Sequence, residues 1–228
     1  PKVLSNRDFN KIFCIGFNKT GTTTLAEILS TYGYRLPPQQ YQESVLTQQC
    51  FNNNFTQLKN FCSQFDAFQD LPFSQGLFFV VADALFPNSK FILTERNPNA
   101  WFQSMKNYYL KRYLGSSDAQ VTREDIKEKF NYLFPGYHFI NIERFLMREM
   151  NGHVSTDWNS LYDREYYIHE YTRRNIEVKK YFANCPEKLL SIDVTKEATT
   201  ERICEFLNIP SEFVFSTPHL NPTKKIEI

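Results

Sequence analysis

The 228-residue chain lacks a strong net charge. It carries 26 Lys and Arg residues against 25 Asp and Glu residues, which gives a formal net charge of +1. So balanced a chain produces no extended positive field, which argues against nucleic acid and anionic membranes as partners. A single anionic ligand, held by a local cluster of cations, is still compatible with this composition.

Cysteine and histidine are both sparse, with five and four residues respectively. The cysteines are odd in number, widely spaced and without a CxxC pair, and the histidines form no HExxH motif. This pattern argues against a disulfide framework and against a zinc site. It predicts reduced thiols, as in a cytoplasmic protein, and no metal.

Long hydrophobic runs are also missing. No apolar stretch reaches the length of a transmembrane helix, and no secretory leader is visible. We therefore expect a cytoplasmic protein without a membrane partner. Because residue 1 is Pro, a processed lumenal protein stays open as an alternative.

Short β-forming runs alternate with helical patterns along the chain. Strands are expected at residues 11–16, 67–69, 90–95 and 189–193. Helices are expected at residues 22–32, 73–86, 98–113, 122–134, 139–150, 158–183 and 200–207. The alternation predicts one three-layer α/β domain over residues 1–228, with a central parallel sheet covered on both faces.

Two parts of the chain are harder to interpret. Residues 39–57 are rich in Gln and Asn, and we interpret them as a solvated connection, with a surface helix as the alternative. Residues 151–157 are expected to be a loop. Segments 36–60 and 113–158 are candidates to form a substrate pocket or lid. The aromatics that they carry predict a small, partly apolar substrate: Tyr41, Phe55, Tyr132, Phe134 and Tyr137.

Residues 15–25 (IGFNKTGTTTL) form a glycine loop between a predicted strand and a predicted helix. Gly16 and Gly21 have the Walker spacing, but Thr22 occupies the place of the Walker lysine, and Lys19 lies inside the loop. Backbone N–H groups and the helix N-terminus make such a loop an anion site. The candidate binding residues are Asn18, Lys19, Thr20, Gly21, Thr22, Thr23 and Thr24. Without the Walker lysine, ATP with Mg²⁺ fits poorly.

Two stretches together resemble the sulfotransferases that use 3′-phosphoadenosine 5′-phosphosulfate (PAPS). Residues 12–25 (IFCIGFNKTGTTTL) are similar to the loop that binds the 5′-phosphosulfate in that family. Residues 91–105 (FILTERNPNAWFQSM) are similar to its second motif, in which an Arg and a Ser eight residues later clamp the 3′-phosphate. Arg96 and Ser104 have this spacing. The resemblance implies a P-loop fold with a sheet like that of nucleotide kinases.

Asp70-Leu71-Pro72 resembles the Asp-Leu-Pro motif of a compact subfamily of these enzymes. It lies where cytosolic sulfotransferases place a His-Leu-Pro that carries the catalytic base. The resemblance therefore implies that Asp70 is the general base and that Lys19 stabilises the departing phosphosulfate oxygen. From the residues alone, Asp70 as a helix cap before Pro72 stays open. Burial near Phe68 and Phe73 is expected to raise the pKa of Asp70.

The resemblance continues through three C-terminal stretches, RRNIEVKKYF, KLLSIDV and RICEFLNIP. The chain also departs from the cytosolic enzymes. Their lysine two residues before the base is Phe68 here, and their Arg-Lys-Gly element for the 3′-phosphate is not recognisable. Lys224 and Lys225 are candidates to replace that element.

The resemblance implies transfer of the sulfonyl group from PAPS to a hydroxyl, or less readily an amine, of a small acceptor. The transfer is an in-line displacement with PAPS as co-substrate and no metal. Two alternatives stay open: a P-loop nucleotide phosphotransferase and a non-catalytic nucleotide-binding protein on the same fold. The sequence specifies neither the acceptor nor the oligomeric state.

Overall fold

The computed structural model of the protein describes residues 6–150 and 152–218. The strands are β1 (Ile12–Cys14), β2 (Ala67–Gln69), β3 (Lys90–Thr94), β4 (Met147–Met150), β5 (His153–Thr156) and β6 (Leu189–Ile192). The α-helices are α1 (Thr22–Thr31), α2 (Gln39–Phe51), α3 (Phe55–Cys62), α4 (Phe78–Leu85), α5 (Pro98–Leu114), α6 (Arg123–Glu128), α7 (Tyr137–Phe145), α8 (Arg164–Tyr181) and α9 (Glu201–Phe206). Short 3-10 turns occupy Trp158–Ser160, Pro186–Lys188 and Ser211–Phe213.

The described residues divide into two compact units. One contains the residues up to Arg96 together with those from Arg174 onward, and the other is Asn97–Arg173. In the first unit, β1, β2, β3 and β6 form a parallel sheet in the order β2-β1-β3-β6. Such an order requires helical crossovers between neighbouring strands. The predicted α/β fold with a central parallel sheet is therefore confirmed.

Both faces of this sheet are buried. Ile12 and Cys14 of β1 face a core that includes residues of α1 and α9. The alternate residues Phe13 and Ile15 face a second core, which includes residues of α2, α3, α4 and α8. Side chains of neighbouring residues in a strand point to opposite faces, so a strand covered on both sides is apolar throughout. This explains why residues 12–15 read as a continuous apolar run.

The second unit contains α5, α6, α7, the antiparallel hairpin β4–β5 and the first part of α8. Its buried His138 accepts or donates a hydrogen bond with the Tyr113 hydroxyl (2.9 Å) and lies among aromatic rings. Burial and the nearby Arg112 lower the pKa of His138 to about 4, so this imidazole is neutral at pH 7. Tyr132, Phe134 and Tyr137, predicted to face an acceptor, pack around one another here.

Two predicted helices begin later than the periodicity suggests. The helix predicted at 73–86 begins at Phe78, because Gly76 at φ +46° lies in a turn. The helix predicted at 158–183 begins at Arg164, where the carboxylate of Asp163 accepts a hydrogen bond from the Tyr166 N–H (2.8 Å). Such a bond is the usual contact of a capping Asp.

The predictions for residues 122–157 are wrong in detail. The helix predicted at 122–134 ends at Glu128, before Leu133 in the left-handed region at φ +60°. The helix predicted at 139–150 ends at Phe145, and β4 and β5 pair where the sequence predicted helix and loop. Asn151-Gly152 stands between the two strands, and this dipeptide is a strong sequence signal for a β-hairpin.

Residues 39–57 are not a solvated connection. They form α2 and the start of α3, and α2 buries Gln42, Glu43, Leu46, Thr47 and Cys50 along one face. Over the part of the chain that the structure describes, the helices are too short or too polar to cross a membrane.

Candidate functional site

The carboxyl ends of three adjacent strands bring the predicted site together. The glycine loop (residues 16–21) follows β1, Asp70 follows β2 directly, and Arg96 comes two residues after β3. Because β2, β1 and β3 are parallel neighbours, their carboxyl ends lie along one edge of the sheet. This is the edge at which open α/β sheets bind ligands.

Two glycines fix the path of the loop. A Cβ atom on Gly16 would lie 2.1 Å from Thr94 Oγ1 and 2.4 Å from the Thr94 carbonyl oxygen. Gly21 has φ +96°, and a Cβ atom there would lie 2.4 Å from Val194 Cγ2. Both positions therefore exclude larger residues, the first because of β3 and the second because of its backbone and the segment after β6.

Thr20 holds the loop from inside. Its side chain is fully buried, and its hydroxyl lies 2.5 Å from the Phe17 carbonyl oxygen and 2.6 Å from Thr94 Oγ1. The hydroxyl thus joins the loop to β3. Contact of Thr20 with a ligand would have to use its backbone N–H, and such a contact stays a prediction.

The N-terminus of α1 faces the loop with its charge uncompensated by acidic residues. Gly21 is the cap residue, no side chain caps the helix, and the first turn contains no Asp or Glu. Thr22 and Thr24 are buried, whereas Thr23 is exposed. The free N–H groups of a first helical turn attract anions, so this end of α1 suits a phosphate or sulfate group.

Lys19 lies at the tip of the loop, next to the half-buried Asn18. It is a non-glycine residue at φ +67°, a conformation that needs support from its surroundings. Arg96 supplies part of it, since Nη1 donates to the Lys19 carbonyl oxygen (3.4 Å). Burial and the positive charge of Arg96 lower the pKa of Lys19, while Asp70 acts in the opposite direction. Lys19, Arg96 and Asp70 therefore form one charge cluster.

Asp70 is a buried carboxyl group at φ +59°. Oδ1 accepts a hydrogen bond from the Ser74 hydroxyl (3.2 Å), and Oδ2 accepts one from Gln39 Nε2 (3.4 Å). Burial, with a further contribution from the Glu43 carboxylate, raises the pKa of Asp70 to about 7. Ser74, the Leu71 N–H and Lys19 act against this rise.

Asp70 caps no α-helix. The next helix, α4, begins eight residues later at Phe78, and its cap position is Leu77. The helix-cap interpretation of Asp70 is therefore wrong. The pKa of about 7 lies near the working pH of most enzymes, which is the range in which a general base is most effective.

The start of α2 supplies site residues that were not predicted from the sequence. Gln42 Nε2 donates to the carbonyl oxygens of Gln69 and Leu71, both at 2.6 Å, and so holds the backbone on either side of Asp70. Gln39 Nε2 donates to the Asp70 carboxyl itself, and the Glu43 carboxylate acts on that carboxyl electrostatically. The sequence contains a signal for this helical face. One side of a helix would carry Gln39, Gln42, Glu43 and Leu46, which are spaced by three or four residues.

Arg174 of α8 is the other missed residue. Its buried guanidinium donates to the Ile15 carbonyl oxygen (2.9 Å) and to the Phe73 carbonyl oxygen (3.4 Å). It also lies 4.9 Å from the centre of the Phe17 ring. Arg174 therefore ties the start of the glycine loop to the segment that follows Asp70.

The other predicted contributors to the 3′-phosphate site are Ser104, Lys224 and Lys225. Ser104 is a half-buried residue of α5 in the second unit, so the clamp that it would form with Arg96 stays a prediction. Lys224 and Lys225 lie outside the described residues. Among residues 6–150 and 152–218, no group of three or more His, Cys, Asp and Glu side chains is arranged to hold a metal ion.

Comparison with known proteins gives one positive finding. The model of a family described as "Sulfotransferase domain" matches residues 11–226 of the chain. No curated protein matches the chain. The match includes the glycine loop, Asp70, Arg96 and Ser104.

Proposed function

The chain belongs to the family of sulfotransferase domains, and on this basis we propose that it transfers the sulfonyl group of PAPS to a hydroxyl, or less readily an amine, of a small acceptor. The observation that carries the proposal is the cluster of Lys19, Arg96 and Asp70 beside the glycine loop. We propose further that residues 1–228 act as one cytoplasmic sulfotransferase domain, with segments 36–60 and 113–158 shaping the acceptor pocket.

The donor groups at this edge fit an anionic nucleotide. The N-terminus of α1 offers N–H groups, Lys19 offers an ammonium, and Arg96 offers a guanidinium with the geometry to bind phosphate. Asn18, Gly21, Thr22, Thr23 and Thr24 complete the proposed 5′-phosphosulfate contacts, and Ser104 would join Arg96 on the 3′-phosphate. The proposal needs no metal.

When bound, PAPS supplies the sulfonyl group, whose sulfur forms a bond to the acceptor oxygen as its bond to the phosphate oxygen breaks. Lys19 stabilises the negative charge that develops on that phosphate oxygen. Asp70 accepts the proton that the acceptor hydroxyl loses. A pKa of about 7 makes Asp70 a much stronger base than an ordinary Asp, whose pKa is about 3.9.

Turnover with ³⁵S-labelled PAPS tests the proposal directly. The protein is incubated with panels of small hydroxyl and amine acceptors in the presence of a chelator. We expect at least one acceptor to become labelled, with hydroxyls preferred over amines. A chain that binds the nucleotide but labels no acceptor would favour a non-catalytic nucleotide-binding protein instead.

Ligand stabilisation distinguishes the proposed co-substrate from ATP. Adenosine 3′,5′-bisphosphate at a hundredfold excess over its Kd should raise the melting temperature by about 5–10 °C, because it binds the folded state alone. ATP with Mg²⁺ should raise it much less, since Thr22 replaces the Walker lysine. Differential scanning fluorimetry measures both. Greater stabilisation by ATP with Mg²⁺ than by the bisphosphate would contradict the proposal of PAPS as co-substrate.

Arg96→Ala tests the 3′-phosphate contact. Loss of a charge-assisted, bidentate bond should weaken the binding of adenosine 3′,5′-bisphosphate by about 10–150-fold, which corresponds to roughly 1.5–3 kcal/mol of binding free energy. Binding of 5′-AMP, which has no 3′-phosphate, should change far less. Isothermal titration calorimetry gives both affinities.

The control for Arg96→Ala is Arg202→Ala, which removes an exposed guanidinium paired with Glu197 in the same unit. It should leave both affinities unchanged. Because Arg96 also supports the Lys19 carbonyl, a purely structural role predicts equal losses for the two ligands. Equal losses would therefore remove Arg96 from the proposed 3′-phosphate site.

A further inference from the structure

The N-terminal part of α2 contains a buried carboxyl group that acts on Asp70. Glu43 is 1 % exposed, and so is Gln42 on the same helical face. Burial raises the pKa of Asp70 most, and the Glu43 carboxylate raises it further through like-charge repulsion. A buried glutamate beside a proposed general base is costly to maintain unless hydrogen bonds hold it.

The Gln39 amide joins the two carboxyl groups. Gln39 Nε2 lies 2.9 Å from Glu43 Oε1 and 3.4 Å from Asp70 Oδ2. An amide nitrogen carries two hydrogens, so it can donate one to each carboxylate. Gln39 Oε1 in turn accepts a hydrogen bond from Gln69 Nε2 (3.0 Å). That bond fixes the amide orientation, because the opposite orientation would place Oε1 against two carboxylates.

One cation, Lys19, acts on Asp70, and two more lie farther along the same network. Lys19 from the glycine loop lowers the pKa of Asp70, and Arg96 acts on Lys19. Arg174 of α8 reaches the backbone of the segment after Asp70 through the Phe73 carbonyl oxygen. Ser74 donates to Asp70 from that segment. The pKa of Asp70 is thus raised first by burial and then by the Glu43 carboxylate, and it is lowered by Ser74, the Leu71 N–H and Lys19.

We propose that Glu43 is a positioning residue for the sulfonyl transfer: through the Gln39 amide it forms a coupled carboxyl pair with Asp70 and sets the pH range in which Asp70 accepts the acceptor's proton. The proposal rests on the proposed function, because Asp70 is the base only if the transfer takes place. Two carboxyl groups in one buried site resist simultaneous ionisation. Their protons are then lost in two steps that belong to the pair.

The test is the titration of Asp70 in the unliganded 228-residue chain. Carbon-detected NMR of ¹³C-labelled aspartate follows the Asp70 carboxyl, assigned by the loss of its signal in Asp70→Asn. Glu43→Gln removes the like charge and should lower the titration midpoint by about one pH unit, the size at which two groups titrate as a pair. Gln39→Met removes the shared donor from both carboxylates and should shift the midpoint upward.

The two variants should shift the Asp70 midpoint in opposite directions, whereas loosening of the structure alone would shift it in the same direction in both. Glu27→Gln is the matched control, since it removes an exposed carboxylate of α1 and should leave the midpoint in place. An unchanged midpoint in Glu43→Gln would overturn the proposal. If Glu43→Gln does not fold, the absence of an upward shift in Gln39→Met would overturn it.

The pH profile of kcat/KM separates this proposal from the proposed function. With a labelled acceptor, the acid limb should follow the NMR midpoint, to lower pH in Glu43→Gln and to higher pH in Gln39→Met. If the NMR midpoint shifts but the acid limb of the kcat/KM profile stays at its wild-type pH, the role of the pair in the reaction is overturned. Shifted midpoints in a protein without any turnover would support the coupled pair and overturn the proposed function alone.

Discussion

Lys19→Met is expected to lower the turnover number for sulfonyl transfer by about 10²–10³-fold, the usual effect of removing one group that stabilises a developing oxyanion. Met retains the length and the apolar stem of the side chain but cannot carry a charge. The left-handed backbone at φ +67° is equally available to Lys and Met. Single-turnover kinetics with labelled PAPS measures the chemical step directly.

The pH dependence adds a second test of Lys19. Burial and Arg96 lower the pKa of Lys19, so its ammonium is lost at a lower pH than that of an ordinary lysine. Activity should fall as the pH rises through this pKa, because the neutral amine no longer stabilises the leaving oxygen. The pH profile of Lys19→Met should not show this fall in activity at high pH.

Lys196→Met is the matched control for Lys19→Met. Lys196 follows β6 in the same unit, is exposed, and pairs with Asp193 at 3.7 Å. Its replacement should leave turnover within about twofold of wild type, as expected for an exposed ion pair that contributes about 0–1 kcal/mol. If Lys19→Met behaves like this control, Lys19 does not contact the reacting group.

The sequence predicted where three candidate site residues lie relative to the strands, and their roles stay predictions. Lys19, Asp70 and Arg96 each lie within five residues of the carboxyl end of β1, β2 or β3, so the strands alone bring them to one edge. A strand–loop–helix pattern with two glycines is a local signal. The two glycines are also required by close contacts that cannot be read from the sequence. Gly16 lies against Thr94 of β3, and Gly21 lies against Val194, which follows β6.

The supporting residues could not be predicted in the same way. Gln39, Glu43 and Arg174 act on Asp70 or its neighbours from elements that are 27 or more positions away in the chain. The spacing of Gln39, Gln42 and Glu43 predicts a shared helical face, but not what that face contacts. Their polarity favoured a solvated connection, which is why burial of this segment was not expected.

The hairpin β4–β5 shows a different reason for a wrong secondary-structure prediction. Residues 139–150 contain apolar residues at helical spacing, and this pattern does hold as far as Phe145. Pairing of Met147–Met150 with His153–Thr156 then replaces the helix. The strand pairing prevails over the helical periodicity, and the Asn-Gly dipeptide at 151–152 of the sequence is a signal that favours a hairpin.

Asp70→Asn should reduce turnover by about 10²–10⁴-fold, because an amide cannot take up the acceptor's proton. Asn is a suitable replacement for two reasons. It tolerates the left-handed conformation at φ +59° almost as well as Asp, and its side chain still accepts the hydrogen bond from Ser74. Affinity for adenosine 3′,5′-bisphosphate should change little. A wild-type pH profile of kcat/KM should rise through about pH 7 as Asp70 loses its proton.

Stability provides an independent readout of the same carboxyl group. The pKa of Asp70 is about 7 in the folded protein and close to 3.8 in the unfolded chain. A raised pKa contributes stability that is fully present below pH 3.8 and is lost as the pH rises to about 7. The loss is at most about 4 kcal/mol, since each tenfold change in proton affinity is worth about 1.4 kcal/mol. Asp70→Asn has no such proton, so its free energy of unfolding should exceed that of wild type increasingly from pH 5 to pH 7.

Asp193→Asn separates the loss of a base from the loss of a carboxylate at this edge. Asp193 follows β6 and accepts hydrogen bonds from Thr195 within its own turn, so its replacement should leave turnover within a few fold of wild type. If Asp70→Asn keeps more than about a tenth of wild-type turnover under single-turnover conditions, well short of the general-base range, Asp70 is not the base. Asp70→Asn could instead lose turnover without gaining stability between pH 5 and pH 7. That result would mean that Asp70 is ionised in the folded protein over this pH range, and that Glu43 does not raise its pKa.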